Sequence, residues 1–264
     1  MRILEKATYL GNTRHHYEAD GVIVSEAEYR EPVYEGWHCH ENNHLSLTIK
    51  GGNIEKRRSG EKVVSTGNIA YYNSGEMHRN SHTLHPTKNL NIAIEDSFLL
   101  AHDLHFSMLH QYREGDPAVK FAVLNIYREC LAGDNSVKAS VDALLLHTFS
   151  APLTHQEQKA MPLWVEKVRQ LLHDSWNETL SLQQISAAAG VHPVTVSRYF
   201  PYYFGCQLGE YMRKIKIDRA LHLIGQPDMS LTDVALYCGF FDQSHFIRTF
   251  RSCTGFLPRA YRKL

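Results

Sequence analysis

The sequence predicts an α+β protein of two domains, in which a β-rich N-terminal region with a helical appendage precedes an all-α C-terminal region. Three observations support this fold class. Apolar and polar residues alternate at 45–49 and 90–94, which is the period of half-buried strands. From Ser97 onward the apolar period becomes helical. Residues 163–264 contain an internal repeat, and the 264 residues suffice for two hydrophobic cores.

Residues 1–97 read as short strands separated by turn signals. Gly51-Gly52 and Asn73-Ser74-Gly75 are examples of these signals. Many short strands at such spacing predict a β-sandwich or a β-barrel.

The segment that follows predicts three helices and a linker. One helix is expected over 98–112, a second opens at Pro117, and a third follows Ser136. Residues 150–162 lack apolar periodicity and are bracketed by prolines, which indicates a linker. We expect the three helices to form an appendage that serves in dimerisation. The predicted boundaries are 1–97 for the β-rich domain, 98–149 for the appendage, 150–162 for the linker and 163–264 for the C-terminal domain.

The composition excludes several classes of protein. Hydrophobic residues make up 43% of the chain and charged residues 21%, which excludes a wholly disordered chain. No run of about 18 apolar residues is present, so no membrane span is expected. Glu5 precedes any apolar stretch, which argues against a secretory signal and predicts a cytoplasmic protein. The five cysteines form no CxxC pair and are expected to be free thiols.

Charge and histidine are unevenly distributed along the chain. Residues 1–155 carry 15 basic and 19 acidic residues, whereas residues 156–264 carry 13 basic and 9 acidic ones. The C-terminal part is therefore the better candidate for binding a polyanion. The N-terminal part instead holds 13 of the 17 histidines, which indicates that the two parts differ in function.

The internal repeat consists of two similar units. Each unit begins at a serine that lies nine residues before a glycine, and an Arg-x-Phe motif follows. A self-similarity of this kind indicates one structural unit used twice. The paired residues are Ser181 and Ser230, Gly190 and Gly239, and Arg198 and Arg248.

Each unit predicts a helix-turn-helix. Ser181 and Gln184 have the spacing of a capping box. Gly190 allows the left-handed backbone of the turn, and Pro193 suits the first turn of the next helix. Ser230 is expected to cap the first helix of the second unit, and Asp233 in the first turn complements the helix dipole. A simple αα-hairpin has a similar pattern, but polar side chains at the start of each second helix favour reading of a DNA major groove.

The second helix of each unit is expected to bury one face. The predicted buried residues are Val196, Tyr199, Phe200 and Phe204 in the first unit and Phe246 and Phe250 in the second. Between the units, residues 208–224 predict an uninterrupted helix of roughly 25 Å at ~1.5 Å per residue. Such a helix could separate two reading helices by about one DNA turn, ~34 Å. Its cations, either solvated or in contact with phosphates, are Arg213, Lys214, Lys216 and Arg219.

Residues 163–264 resemble the AraC-type DNA-binding domain of the AraC/XylS family. The resemblance rests on residues 181–193 (SLQQISAAAGVHP), 198–200 (RYF), 239–250 (GFFDQSHFIRTF) and 254–261 (TGFLPRAY). It implies a sequence-specific transcriptional regulator, not an enzyme, that binds a double-stranded DNA operator. Activation, with RNA polymerase as a further partner, is the commoner behaviour of the family.

The resemblance also assigns the DNA-binding side chains. Val194 cannot hydrogen-bond a base, so we expect it to contact a thymine methyl group or to pack. The residues that the resemblance assigns are Val194, Ser197, Arg198, Gln243, Ser244, His245 and Arg248. Thr195 joins the predicted DNA-binding set as a polar residue on the free face of the same helix.

Four histidines of the β-rich region predict a second site. His38 and His40 lie two residues apart and hence on one face of a strand. His44 follows four residues after His40, and His78 belongs to a later predicted strand. Imidazoles gathered by one sheet suit a first-row divalent metal. The pattern resembles the two motifs of cupin barrels, although metal cupins usually carry glutamate at position 44. Asn73 likewise stands where the second motif usually has proline.

The cupin resemblance implies a cupin-like β-barrel for residues 1–97. Its four histidines either bind a divalent metal or line the pocket of a small-molecule effector, and no cofactor is required. The other histidines are given no ligand role. Those expected in solvated loops are His15, His16, His82 and His85, and those expected to pack on a helix are His102, His105 and His110. No Ser/His/Asp order or paired-carboxylate site stands out, so no catalytic residue is predicted.

The leading hypothesis is a bacterial transcriptional regulator whose N-terminal domain senses an effector or forms a homodimer. The alternative from another class is a metal cupin oxygenase or isomerase with a DNA-binding tail, which metal analysis and turnover assays would distinguish. A ligand-independent architectural DNA binder is disfavoured because 162 residues precede the DNA-binding module.

Overall fold

The computed structural model describes residues 2–112, 116–150, 161–226 and 228–264. Two five-stranded sheets form the N-terminal region and helices form the C-terminal one, which confirms the predicted α+β fold of two domains. The strands are β1 (Arg2–Leu4), β2 (Asn12–Ala19), β3 (Val22–Tyr29), β4 (His38–His40), β5 (Asn43–Lys50), β6 (Gly52–Arg57), β7 (Gly60–Ser65), β8 (Ile69–Tyr72), β9 (His78–Ser81) and β10 (Thr87–Ile94).

The two sheets have the strand orders β1-β4-β9-β6-β7 and β2-β3-β10-β5-β8. The described strands therefore do not close into the single hydrogen-bonded barrel that the cupin resemblance implied. One reason lies in the edge strand β7, which is largely exposed and carries Glu61 and Lys62, since charged edges discourage further pairing. In the centre of the other sheet, Ile92 of β10 lies between Val24 and Leu45, and all three are buried.

The helices follow the strands in chain order. The second and third predicted appendage helices are present, and the helix predicted between the repeat units spans Leu208–Ile224, as expected. The helices are α1 (Asp96–Ala101), a 3₁₀ helix (Phe106–Gln111), α2 (Ala118–Ala132), α3 (Val137–Ser150), α4 (Leu163–Asp174), α5 (Leu182–Ala189), α6 (Pro193–Phe204), α7 (Leu208–Ile224), α8 (Leu231–Tyr237), α9 (Gln243–Thr254) and α10 (Pro258–Tyr261).

The prediction of one helix over 98–112 is wrong. The chain instead ends α1 at Ala101 and begins a separate 3₁₀ helix at Phe106. Asp103, between them, has a φ of 53°, a left-handed conformation that a regular helix does not contain. His105 then caps the 3₁₀ helix, because its Nδ1 accepts a hydrogen bond from the backbone N–H of Ser107 at 3.3 Å.

The described residues form two large hydrophobic cores, beside a small cluster of Ala7, Ile23 and Ala93. The larger core joins the β-rich region, α2 and α3 to the second repeat unit, and it includes Ile92, Tyr127 and Phe250. The smaller core lies within α4 and the first repeat unit, around Ile185 and Phe200. Helix α7 contributes to both. The second repeat unit is therefore packed on the N-terminal region, whereas the first has a core of its own.

Polar contacts also join the second repeat unit to the N-terminal region. Lys120 Nζ on α2 lies 2.6 Å from Asp218 Oδ1 on α7, and both side chains are largely buried. Asn125 on α2 donates from Nδ2 to the backbone oxygen of Cys253 at 2.8 Å. These contacts cross between segments far apart in sequence, so they fix how α7 and α9 sit on α2.

Most of the predicted linker, residues 151–160, lies outside the described residues. Helix α3 ends at Ser150 and α4 begins at Leu163. None of the described helices is both long and apolar enough to span a membrane.

Candidate nucleic-acid interface and histidine cluster

The first repeat unit is formed by α5 and α6, with the predicted local signals in place. The hydroxyl of Ser181 accepts from the backbone N–H of Gln184, and the Gln184 side chain accepts from the N–H of Ser181 at 2.8 Å. Gly190 ends α5 with a φ of 72°. Pro193 then occupies the first turn of α6, where a missing N–H costs nothing.

The second repeat unit is formed by α8 and α9. Ser230 and Asp233 make a capping box, and Gly239 turns the chain with a φ of 68°. The turn is tightly packed, because a Cβ at Gly239 would lie 2.5 Å from the backbone oxygen of Asn177. Lys216 Nζ donates to the Gly239 carbonyl at 2.8 Å. Asp242 caps α9 by accepting from the N–H of His245 at 2.6 Å.

The predicted DNA-binding side chains lie at the start and along one face of α6 and α9. Buried aromatic residues, among them Phe200 on α6 and Phe246 on α9, hold the opposite faces in the cores. The exposed members of the predicted set are Val194, Ser197, Arg198, Ser244 and Arg248, and the half-buried ones are Thr195, Gln243 and His245. The polar faces of both helices are thus open to an incoming partner.

Tyr199 was expected in the buried face of α6, and this prediction is wrong. Its side chain is 43% exposed and lies beside the guanidinium of Arg198, whose Cζ is 5.6 Å from the ring centroid. Val196 and Phe200 fill the core side of α6, which leaves Tyr199 at the edge of the outward face. Tyr202 and Phe241, which the sequence analysis did not single out, are exposed aromatic residues as well.

The cations on α7 are mostly held by protein groups. Lys214 Nζ lies 2.8 Å from Glu210 Oε1, and Lys216 is bonded to the turn at Gly239. Arg219 lies over the ring of Trp176, at 5.8 Å from its centroid. The fourth cation, Arg213, is exposed and, like Lys216 and Arg219, makes no ion pair with any other described residue.

Three of the four predicted histidine ligands converge in the β-rich region. The ligating atoms of His38, His40 and His78 all lie within 4.8 Å of one another, and the three residues are buried. His38 Nδ1 lies 3.0 Å from the backbone oxygen of Gly36. His78 Nδ1 lies 3.1 Å from that of Glu76. A ring that donates Nδ1–H to a carbonyl keeps the Nε2 lone pair for a metal.

The fourth histidine, His44, stands slightly apart. Its ring centroid is 4.4 Å from that of His40, but the ring stacks on Tyr72 at 4.5 Å with an interplanar angle of 11°. Its ligating atoms are not part of the three-histidine group. The described geometry therefore favours a three-histidine set with His44 beside it.

The histidines are neutral at ordinary pH. Burial, followed by the proximity of His78 and His38, lowers the pKa of His40 to about 3. Burial, followed by the proximity of His38, lowers the pKa of His78 to about 4. Neutral imidazole is the form that coordinates a metal, so these residues fit a divalent cation.

An ionic group beside the histidines was missed by sequence reasoning. Glu55 on β6 is 1% exposed, and its Oε1 lies 2.7 Å from Nε of Arg57. The Arg57 guanidinium in turn lies over the ring of Tyr72, 4.4 Å from the centroid. The spacing of Glu55 and Arg57, two residues apart on one strand, is the signal that could have revealed them.

His16 was expected in a solvated loop, and this prediction is wrong. It lies in β2 with its side chain 8% exposed, and Nε2 is 3.2 Å from Glu26 Oε2. Lys88 and Tyr127 also contact the Glu26 carboxylate. Burial tends to raise the pKa of Glu26, but these three contacts outweigh it and hold the pKa below its usual range.

Comparison with known proteins bears on the C-terminal region. Residues 165–264 match the model of a helix-turn-helix domain family. The probable transcription factor PqrA of Proteus vulgaris is 33% identical over 87 residues, which are 33% of this chain and 71% of that protein. The chain belongs to the AraC/XylS family of transcriptional regulators. The AraC-type resemblance predicted from the repeat is therefore confirmed, and the family is one of regulators rather than enzymes.

Other AraC-type relatives match over shorter shares of their length. The regulator GbdR of Pseudomonas aeruginosa is 29% identical over 112 residues, 42% of this chain and 30% of that protein. The activator RhaS of Escherichia fergusonii is 30% identical over 92 residues, 35% of this chain and 33% of that protein. The chain thus spans about a third of the length of these two relatives.

A solved AraC-type regulator from Chromobacterium violaceum is 28% identical, with a TM-score of 0.36. The match covers 38% of this chain and 89% of that one.

Proposed function

We propose that this protein is a sequence-specific DNA-binding transcriptional regulator that inserts α6 and α9 into successive major grooves. The observation that carries the proposal is the pair of helix-turn-helix units, each with an open polar face at the start of its second helix. Helix α7 joins the units, and its 17 residues span roughly 25 Å at ~1.5 Å per residue. That length suits helices about one DNA turn, ~34 Å, apart.

The side chains suggest distinct roles in base recognition. Arg198 and Arg248 can each donate two hydrogen bonds to a guanine, and Gln243 can pair with an adenine edge. Val194 supplies an apolar contact for a thymine methyl group. The set proposed for DNA binding stays as the sequence predicted it: Val194, Thr195, Ser197, Arg198, Gln243, Ser244, His245 and Arg248.

We further propose that the N-terminal region makes this regulator responsive to an effector. His38, His40 and His78, with His44 beside them, would hold a divalent metal or line an effector pocket. An effector that binds more tightly to one conformation of the protein increases the population of that conformation, and thereby changes the fraction of protein that can bind the operator. The same proposal includes activation of transcription with RNA polymerase as a partner, a homodimeric state and a cytoplasmic location. It also includes the domain boundaries 1–97, 98–149, 150–162 and 163–264.

Salt-dependent DNA binding tests the proposed function. The full chain is used, because the second repeat unit shares its core with α2. It is titrated against genomic upstream fragments at several salt concentrations. Affinity should fall steeply with salt, since neutralised phosphates release counterions. Absence of any salt-sensitive binding would refute the proposal.

A further inference from the structure

A cleft of about 660 Å³ lies between the appendage helices and the second repeat unit. Ala118 and Ala122 of α2 and Leu144 of α3 line one wall, and α7 and α9 supply the other. Small-molecule sites typically occupy roughly 300–1,000 Å³, so the cleft is large enough for a ligand.

Cationic side chains converge on the α7 and α9 wall. Arg213, Lys214 and Arg248 are these cations, and the side chain of His245 and the carboxylate of Glu210 line the wall beside them. Lys214 neutralises that carboxylate, with Nζ 2.8 Å from Oε1. Within the part of the chain that the structure describes, neither Arg213 nor Arg248 makes an ion pair, and both are exposed. Two guanidinium groups are thus left for an anion.

The opposite wall has an apolar part, formed by Phe121, Ala122 and Leu144 with the exposed Ala118 at its rim. Polar groups of Tyr112, Asn125, His147 and Thr148 complete the wall, and among the described residues no carboxylate on it competes for the two guanidinium groups. We propose that the cleft binds a small amphipathic anion. Arg213 and Arg248 hold its carboxylate or phosphate group, and its apolar part lies against Leu144 and Ala122. Guanidinium groups suit this role because their planar fork bonds two oxygens of such a group at once.

An anion bound in the cleft controls DNA binding directly, an inference that rests on the proposed function. Arg248 and His245 line the cleft and also belong to the proposed base-reading set. An anion on Arg248 occupies the donors that a guanine would need. The anion and DNA therefore compete, and each weakens the binding of the other by the same factor.

The probe for the cleft is 8-anilinonaphthalene-1-sulfonate, an aromatic anion that fluoresces in apolar surroundings. It is titrated into the full chain without DNA, beside the neutral dye N-phenyl-1-naphthylamine. The sulfonate should bind saturably and at least about tenfold more tightly than the neutral dye, because the arginines recognise its charge. Equal binding of the two dyes would overturn the anion site.

Paired variants locate the binding. Arg213→Gln removes a cleft cation, and Ala118→Trp fills the rim from the appendage side. Each should weaken sulfonate binding about tenfold or more. Arg58→Gln and Ala132→Trp, at exposed positions outside the cleft, are the matched controls and should bind like the wild type. Unchanged binding in both cleft variants would place the dye elsewhere and refute the site.

Competition is then measured with a duplex of random sequence, about 30 base pairs long, enough for two half-sites. The duplex should displace the sulfonate from the wild-type protein, and the sulfonate should weaken DNA binding. Simultaneous binding without mutual effect would contradict the competition. Dye binding without any DNA binding would instead refute the DNA-binding function and leave the anion site standing, so the two failures are distinguishable.

Discussion

Arg198 and Arg248 hold equivalent positions on two separate reading helices, and both are exposed. Arg198→Ala should relax base preference in one half of the operator and Arg248→Ala in the other. Each lost contact should cost roughly 1–3 kcal/mol at its own base position. Selection of bound DNA from a random pool measures this for each variant, with Arg58→Ala as a control away from both helices. Altered preference at the same base positions in both variants would contradict the assignment.

The histidine group makes a second prediction about single residues. If the cluster binds a divalent metal, His38→Ala and His78→Ala should each abolish stoichiometric binding, because two imidazoles alone make a poor site. His44→Ala should have a smaller effect, since its atoms lie outside the group of three. His82→Asn is the control, because His82 is exposed and has a φ of 52°, which asparagine tolerates.

The metal prediction is measured by elemental analysis after incubation with zinc, iron, manganese, nickel or copper. A wild-type protein that stays metal-free in all five cases would leave these histidines as the lining of an effector pocket. The regulator function is independent of that result.

The contacts of a residue could be predicted where its partners lie nearby in the sequence. They could not be predicted where they depend on the packing of distant segments. The caps at Ser181 and Ser230 depend on side chains three positions away, so the sequence contains all the information needed. His16 was misplaced because its partner, Glu26, lies on another strand. Tyr199 was misplaced because the position of α6 on its neighbours decides which edge of the helix is open.

The turns of the two repeat units differ in how tightly they are packed. Gly190 and Gly239 both have positive φ, but a Cβ at Gly190 meets nothing within 4 Å, whereas one at Gly239 lies 2.5 Å from the Asn177 oxygen. Gly190→Ala should therefore cost about 1–2 kcal/mol of stability, from backbone strain alone. Gly239→Ala should cost clearly more. Urea unfolding followed by circular dichroism tests this, and equal costs would contradict the tight packing of the second turn.

Element types followed from periodicity, but one boundary did not. Residues 208–224 were predicted as a helix with the observed bounds, because the apolar period is uninterrupted. The appendage helix over 98–112 was not, because the period continues across the left-handed residue Asp103. Aspartate is one of the few residues that adopt this conformation, but a single aspartate is too weak a signal to end a helix when the apolar period continues past it.

The buried ion pair between α2 and α7 is a property of the whole molecule, because it joins the two regions. Lys120→Met leaves Asp218 buried without its partner and should cost about 3–5 kcal/mol. The double variant Lys120→Met/Asp218→Leu should recover most of this loss, since no buried charge remains. Urea unfolding of the two single variants and the double variant completes the cycle. Additive losses would show that the pair is not coupled.

The division into cores could not be predicted from the sequence. The repeat suggested one C-terminal domain, and the family match covers it as one unit. In the structure, the second unit shares the larger core with α2 through residues such as Phe250 and Tyr127, while the first unit has its own. Contacts between distant segments decide this division, and an apolar face does not reveal its partner.

The spacing of bases selected by the full chain tests the central claim most directly. Two reading helices joined by α7 should select two blocks of preferred bases, centred about 10–10.5 base pairs apart. Selection from a random duplex pool, followed by sequencing of the bound DNA, measures that spacing. Two blocks one helical turn apart are the result that the account predicts. A single block, or two blocks at variable spacing, would contradict a regulator that reads successive major grooves with α6 and α9.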